Sequence, residues 1–318
     1  MSELFPAATP LPWHDQLWQQ IVTTRQRGRM AHGLLVCGPP GVGKRRFAAR
    51  LARALLCHAP AGDGDACGVC TSCRQWQIGS HADVSRLVPD TPGAAIRVDG
   101  IRTFTSRLQL TAQYQAGRLG WIDPAERLTI AAANSLLKTL EEPPAGTHIL
   151  LISDAPDRLL PTIRSRCRRL RVPPAPVEVA RQWLARQNLS TDGVDHDQLR
   201  MPLQLIDTDE DAATLAAAWR RDLARLLAGQ ADAVQLAEDW ARQPPDALAA
   251  WLYRTASALI EYRLTGSGLA DATLARQAQT QPLPRLQRLC RAAARIMALR
   301  DTNSDWQLAI ESTLLESS

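Results

Sequence analysis

The sequence predicts a doubly wound parallel α/β domain with a small four-cysteine insertion, followed by two all-α domains. Three observations carry that expectation. Over the first half of the chain, short apolar runs alternate with amphipathic stretches of helical period, the pattern of a parallel sheet covered on both faces. Within it, Gly38-Pro39-Pro40-Gly41-Val42-Gly43-Lys44 matches the G-x-x-x-x-G-K phosphate loop and stands between an apolar run and a helical one. Beyond Val172-Pro173-Pro174-Ala175-Pro176 the strand signals stop, and the remaining apolar stripes repeat at three and four residues.

Taken in order, strands are expected over 34–37, 84–88, 119–123, 148–152 and 169–172. The phosphate loop should open a helix over 46–56. An alanine- and leucine-rich helix over 131–140 ends at Glu141-Glu142-Pro143-Pro144, because Pro144 disfavours the helical region at Pro143 and neither proline can donate a hydrogen bond. A short helix led by Pro161 then delivers Arg166 at its end, within Ser165-Arg166-Cys167, where its guanidinium can project toward a neighbouring molecule. The first domain is placed at 1–173. Apolar stripes through Leu215, Trp219, Leu223 and Leu227, through Leu248, Trp251, Leu252 and Leu259, and through Leu286, Leu289, Ala293 and Ile296 read as helix-bundle cores. A break near 205–212 separates a small helical lid, 174–210, from a larger bundle, 211–318. Most of the nine tryptophans fall on such stripes, so core packing is expected of them rather than base stacking.

Composition sets the broad class. With 318 residues and 45% hydrophobic content the chain can build two or three real cores. It has no run of about 18 uncharged apolar residues, and its amino terminus lacks a basic region followed by an apolar one, so a cytoplasmic protein with no membrane span is expected. Thirty-seven basic against thirty-two acidic residues give +5, which permits nucleic-acid contact without requiring it. Seven cysteines in such a chain suit metal ligation or core packing better than disulfides.

Two motifs carry chemistry. In the phosphate loop, the glycines let successive amides point at phosphate oxygens and Lys44 adds charge; an ordinary glycine turn is the bland alternative. Arg45 stands where a serine or threonine would ligate magnesium, and supplies a cation instead of an oxygen. The run Leu119-Gly120-Trp121-Ile122-Asp123 ends in an acid able to help hold a metal-bound nucleotide, but continues Pro124-Ala125 where a hydrolase needs a glutamate to orient water. Glu126 lies three positions on and would need a different geometry. The second motif is Cys57, Cys67, Cys70 and Cys73, spaced C-x9-C-x2-C-x2-C with His58 beside the first. Four thiolates close a tetrahedral zinc shell and leave no open position, which makes a structural site; the glycines of the 61–66 loop are flexible enough to fold Cys57 back. Free cysteines with one redox pair are the alternative. Cys37, Cys167 and Cys290 need no metal role.

The stretch 131–167, with Asn134-Ser135-Leu136-Leu137-Lys138, Glu141-Glu142-Pro143-Pro144 and Ser165-Arg166-Cys167, resembles the clamp-loader branch of the AAA+ ATPases, as do His81-Ala82-Asp83-Val84 and Val98-Asp99-Gly100-Ile101-Arg102. The resemblance covers about the first 175 residues. It implies an AAA+ domain with an inserted zinc module at about 57–76, a lid, and a helical collar. It implies nucleotide contact by Gly38, Gly41, Gly43, Lys44 and Asp123, with ATP or ADP held weakly and the chain's own ATPase weak or absent. It implies that Arg166 acts in trans as an arginine finger; a structural arginine paired with an acid at the domain edge is the alternative. The implied partners are motor subunits and a delta subunit in a five-membered ring, and through that complex the sliding clamp and primer-template DNA. Arg200, in Arg200-Met201-Pro202-Leu203-Gln204, is displaced from the position of a nucleotide-sensing arginine. The departures favour a rigid ring member over the ATP-hydrolysing motor of the same complex. The rivals are that motor, a zinc-containing nucleic-acid-binding protein and, with least support, a nucleotide kinase. The basic run Arg164, Arg166, Arg168, Arg169 and Arg171 is expected at a solvated surface or a subunit contact rather than on DNA.

Overall fold

Strand and helix alternate through the first part of the chain, in a computed structural model that describes residues 5–91, 93–114, 116–191, 194–206, 210–299 and 305–317. The order is α1 (Asp15–Gln26), β1 (Gly33–Cys37), α2 (Lys44–Leu56), α3 (Thr71–Gln77), β2 (Val84–Leu87), α4 (Val98–Leu108), β3 (Arg118–Ile122), α5 (Ile130–Glu141), β4 (Thr147–Ser153), α6 (Pro161–Arg166) and β5 (Arg168–Arg171). The five strands form one sheet in the order β2-β3-β4-β1-β5, and every neighbouring pair is parallel. All five expected strands are present, each within one residue of expectation at either end.

The central strands read as continuous apolar runs because helices cover both faces: Leu34, Leu35 and Val36 of β1 and Ile149 to Ile152 of β4 are fully buried. Register places Gly33 beside Ile149 and Cys37 beside Ser153, while Ile122 of β3 lies beside Leu151. The carboxyl ends of β1, β3 and β4 therefore finish together, and the segments leaving them, starting at Gly38, Asp123 and Asp154, share one rim. That rim is where ligands bind in open α/β sheets.

Local chemistry explains the helix limits. Thr129 caps α5 by accepting from the Ala132 amide at 3.2 Å, and Pro161 opens α6, where a missing N–H has no cost. Among the described residues, the regular structure of the rest of the chain is helical: α7 (Val177–Arg186), α8 (His196–Leu199), α9 (Leu203–Ile206), α10 (Glu210–Leu227), α11 (Ala233–Ala241), α12 (Pro245–Thr265), α13 (Ala272–Thr280), α14 (Leu283–Leu299) and α15 (Trp306–Ser317). Two compact units divide between Val179 and Ala180, just inside α7 rather than at the proline run. In the second unit the expected stripes meet in one core, with Trp251 packed 5.5 Å from Trp219 and 5.9 Å from Trp240 between ring centres. Seven tryptophans are buried, which bears out their reading as core residues. Within the expected break at 205–212, residues 207–209 lie outside the described residues, with α9 ending just before them and α10 beginning just after. Among the described residues, no helix is long and apolar enough to cross a membrane.

Candidate functional site

The phosphate loop leaves the end of β1 and turns into α2 through Gly43, the residue before the helix, at φ 88°. A Cβ there would stand 2.4 Å from Leu11 Cδ1, so both the backbone and the space demand glycine. Gly38 is held as closely, since a Cβ would lie 2.5 Å from the Val172 carbonyl oxygen. The turn before α1 supports the loop: Trp13 Nε1 and His14 Nε2 both bond to the Val42 carbonyl oxygen, at 2.9 and 2.8 Å. Burial drives the His14 pKa down to about 4, against the opposing pull of that hydrogen bond. Local pattern gives no sign of this support, because the contacts span 28 and 29 residues. Lys44 is buried, donates to the Pro39 carbonyl at 2.6 Å and pairs with Asp154. Burial lowers its pKa and Asp154 resists the shift. Asp154 was not among the expected site residues.

Arg45 alters what this rim can do. Its Nε donates to Asp123 Oδ2 at 2.7 Å and its Nη2 to Oδ1 at 2.9 Å, a bidentate pair in which the Asp123 side chain is only 5% exposed. Burial alone would lower the Arg45 pKa, but the hydrogen bonds and charge of Asp123 outweigh it and raise it. Magnesium needs oxygen ligands; position 45 offers none, and both Asp123 oxygens are engaged. The residues therefore do not fit a magnesium ion in the arrangement seen. Glu126 reaches the same rim: its Oε1 accepts from the Asp154 amide at 3.0 Å, and its Oε2 is buried with no hydrogen-bond partner among the described residues.

The four cysteines converge. Their sulfurs all lie within 4.8 Å of one another, with Cys57 to Cys70 and Cys67 to Cys73 both at 4.0 Å. A tetrahedral zinc with bonds of about 2.3 Å spaces its sulfurs about 3.8 Å apart, so the cluster fits that ion. Amides favour charged sulfur: Cys67 N donates to Cys57 Sγ at 3.3 Å and Cys70 N to Cys67 Sγ at 3.4 Å. The Cys67 thiol is drawn down to about 6 by the amides of Val69 and Cys70, whereas burial pushes Cys73 up to about 12; a bound cation would hold all four as thiolates. His58 is exposed and outside the cluster. The intervening loop, expected to be flexible, is anchored: Arg50 of α2 holds Asp65 through two bonds of 2.6 Å and stacks 3.9 Å over the Trp18 ring, while Trp18 Nε1 donates to the Asp63 carbonyl at 3.1 Å.

Arg166 ends α6, as expected, but folds onto its own domain. Its Nε donates to Glu141 Oε1 at 2.5 Å and its Nη1 to the Thr162 carbonyl at 3.0 Å. The Arg166 side chain is 34% exposed and that of Glu141 47%. Arg168, Arg169 and Arg171 are exposed along β5, an edge strand. Arg200 follows α8 and lies 3.9 Å from Asp197 of the same turn.

Fold and site together define a phosphate-loop α/β protein of the AAA+ type, with a four-thiolate module after the phosphate-loop helix and an all-helical remainder. Residues 13–176 match the family described as DNA polymerase III, delta subunit. The DNA polymerase III subunit delta' of Pseudomonas aeruginosa is 36% identical over 274 residues, 82% of this chain and 81% of that protein. The subunit delta' of Escherichia coli is 40% identical over 176 residues, 55% of this chain and 52% of that one. The DNA polymerase III subunit tau of Escherichia coli is 32% identical over 180 residues, 55% of this chain but 27% of tau. The chain belongs to the DNA polymerase III delta-prime family of clamp-loader subunits.

Proposed function

We propose that this chain works in a clamp loader as the rigid, non-hydrolysing member of a five-membered ring. Its neighbours there are motor subunits and a delta subunit, and through the complex it helps to open the sliding clamp and load it on primer-template DNA. The observation that carries the non-hydrolysing role is the Arg45–Asp123 pair, which removes both the metal ligand and the free acid that ATP hydrolysis requires. Zinc in the four-cysteine cluster would be structural. Gly38, Gly41, Gly43 and Lys44 would hold ATP or ADP weakly, without turnover.

In the same reading Arg166 is the chain's contribution to chemistry, as an arginine finger on ATP held by the adjacent motor subunit. A planar, permanently charged fork can pair with γ-phosphate oxygens as charge develops on them. Its pairing with Glu141 is partly exposed and worth about 0–1 kcal/mol, weak enough for a neighbour's phosphate to displace. The test compares the isolated chain with the assembled complex. The isolated chain should show no ATP turnover above background. Arg166→Ala should assemble normally, keep its zinc, and lower hydrolysis at the adjacent site by about 1,000-fold or more, with clamp loading reduced in parallel. Wild-type hydrolysis and loading rates in a normally assembled mutant complex would return Arg166 to a structural role. Robust turnover by the isolated chain, abolished by Lys44→Ala, would assign the motor role instead.

A further inference from the structure

We infer that Arg45 takes the place of a divalent cation, so that the phosphate loop binds the diphosphate group of a nucleotide without magnesium. This rests on reading the loop as a phosphate site. In a metal-using loop the dication stands between phosphate oxygens and two protein oxygens: a hydroxyl on the residue after the lysine, and an acid at the end of a neighbouring strand. Here the residue after the lysine is Arg45, and its guanidinium reaches that same acid, Asp123, from the hydroxyl's position in the chain.

The geometry keeps the cation useful. A guanidinium has five N–H donors, and Arg45 spends its Nε–H and one from Nη2 on Asp123, leaving three. Its side chain remains 46% exposed, whereas Asp123 is 5% exposed. Arg45 is thus a positive charge anchored on one side by a buried carboxylate and open on the other, the same relation a bound metal has to its acid and its phosphate. Three further features complete an anion site. Lys44 lies beside Arg45, anchored in turn by Asp154. The amides of residues 43–46 precede the first bond of α2, from Phe47 N to the Gly43 carbonyl at 2.9 Å, and so have no partner within the helix. They also sit at the amino end of α2, thirteen residues long, whose dipole favours negative charge. For magnesium to enter, Arg45 would have to be expelled from its bond to Asp123, so the metal competes with a residue already in place.

Isothermal titration of the full chain with ADP tests this, in excess magnesium and again in excess EDTA. The expected result is one affinity in both, within about twofold, and an Arg45→Thr variant that binds at least about tenfold more tightly with magnesium than with EDTA. A wild-type affinity that rises about tenfold or more with magnesium overturns the metal-free mode and leaves the phosphate site standing. Equal binding by Arg45→Thr in the two conditions removes Arg45 from the role. No binding of ADP by the wild type at millimolar concentration in either condition ends both this inference and the reading of the loop on which it rests. The wild-type comparison needs no variant, and circular dichroism confirms that Arg45→Thr is folded.

Discussion

The two ends of α2 treat positive charge in opposite ways. At its start, Lys44 and Arg45 are already matched by Asp154 and Asp123, so the phosphate rim carries its own cations. At its end, Cys57 joins three more sulfurs at one point, at spacings suited to a metal ion. The difference follows from what each site must do. A structural shell is all or nothing, because a tetrahedral zinc that loses one of four ligands is no longer closed. In the proposed reading the nucleotide site has separable parts: a guanidinium in place of a hydroxyl supplies one positive charge and leaves out the metal on which phosphoryl transfer depends.

The harshest way to break the comparison is at the cysteine end. One zinc per chain is expected by metal analysis of protein purified without chelator, and its absence would remove the site. Structural zinc typically binds with about 10–16 kcal/mol, so Cys70→Ser should lose the metal outright. Hydrogen exchange should then rise over 57–76 while β1 and β4 stay protected, since their core is built from side chains remote from the cluster.

What was legible in the sequence divides along the same line. Strands buried on both faces show as unbroken apolar runs, and the phosphate loop and cysteines declare themselves by local spacing. Even the end of α5 and the start of α6 are written in the Glu-Glu-Pro-Pro run and Pro161. The partnerships are another matter. Arg45 and Asp123 are 78 residues apart, and only the neighbouring placement of β3, β4 and β1 brings them together. Local spacing marked Arg166 as the end of a helix, but its orientation depends on Glu141, 25 residues away. The His14 support under the loop and the Arg50 anchor of the zinc module were hidden for the same reason: both are made by packing between elements, and no periodicity encodes them.

His14 offers a subtler way to separate the two ends, through acid. Its folded pKa, about 4, lies below the unfolded value of about 6.5. The unfolded chain therefore binds the proton first, and stability contributed by neutral His14 is complete above about pH 6.5 and lost as pH falls toward 4. The loss should reach about 3 kcal/mol. Urea unfolding of the wild type and of His14→Gln across this window isolates the effect from other titrating groups. The gap in stability between them should narrow as pH falls, and a gap independent of pH would show that His14 does not titrate as a buried neutral ring.

The smallest effect is expected at Arg50, which asks whether the zinc module leans on the body of α2 or stands by its metal alone. Arg50 and Asp65 form a bidentate pair with side chains 9% and 26% exposed, so the pair is worth more than a surface bridge. Two facts limit it. Arg50 Nη1 is buried and has no hydrogen-bond partner among the described residues, and Asp65 keeps access to water. Arg50→Gln should therefore cost about 1–2 kcal/mol, including the stacking over Trp18, and Asp65→Asn about as much. The double variant should cost little more than either alone, because the two act as one unit. If the anchor shapes the module, zinc affinity measured by chelator competition should fall about tenfold in all three variants, from a looser 58–66 loop entering Cys67. Unchanged affinity would mean that four sulfurs suffice to fold the module. Its independence from α2 would then be complete, and the contrast with the phosphate loop, which cannot be separated from its neighbouring strands, would be sharper still.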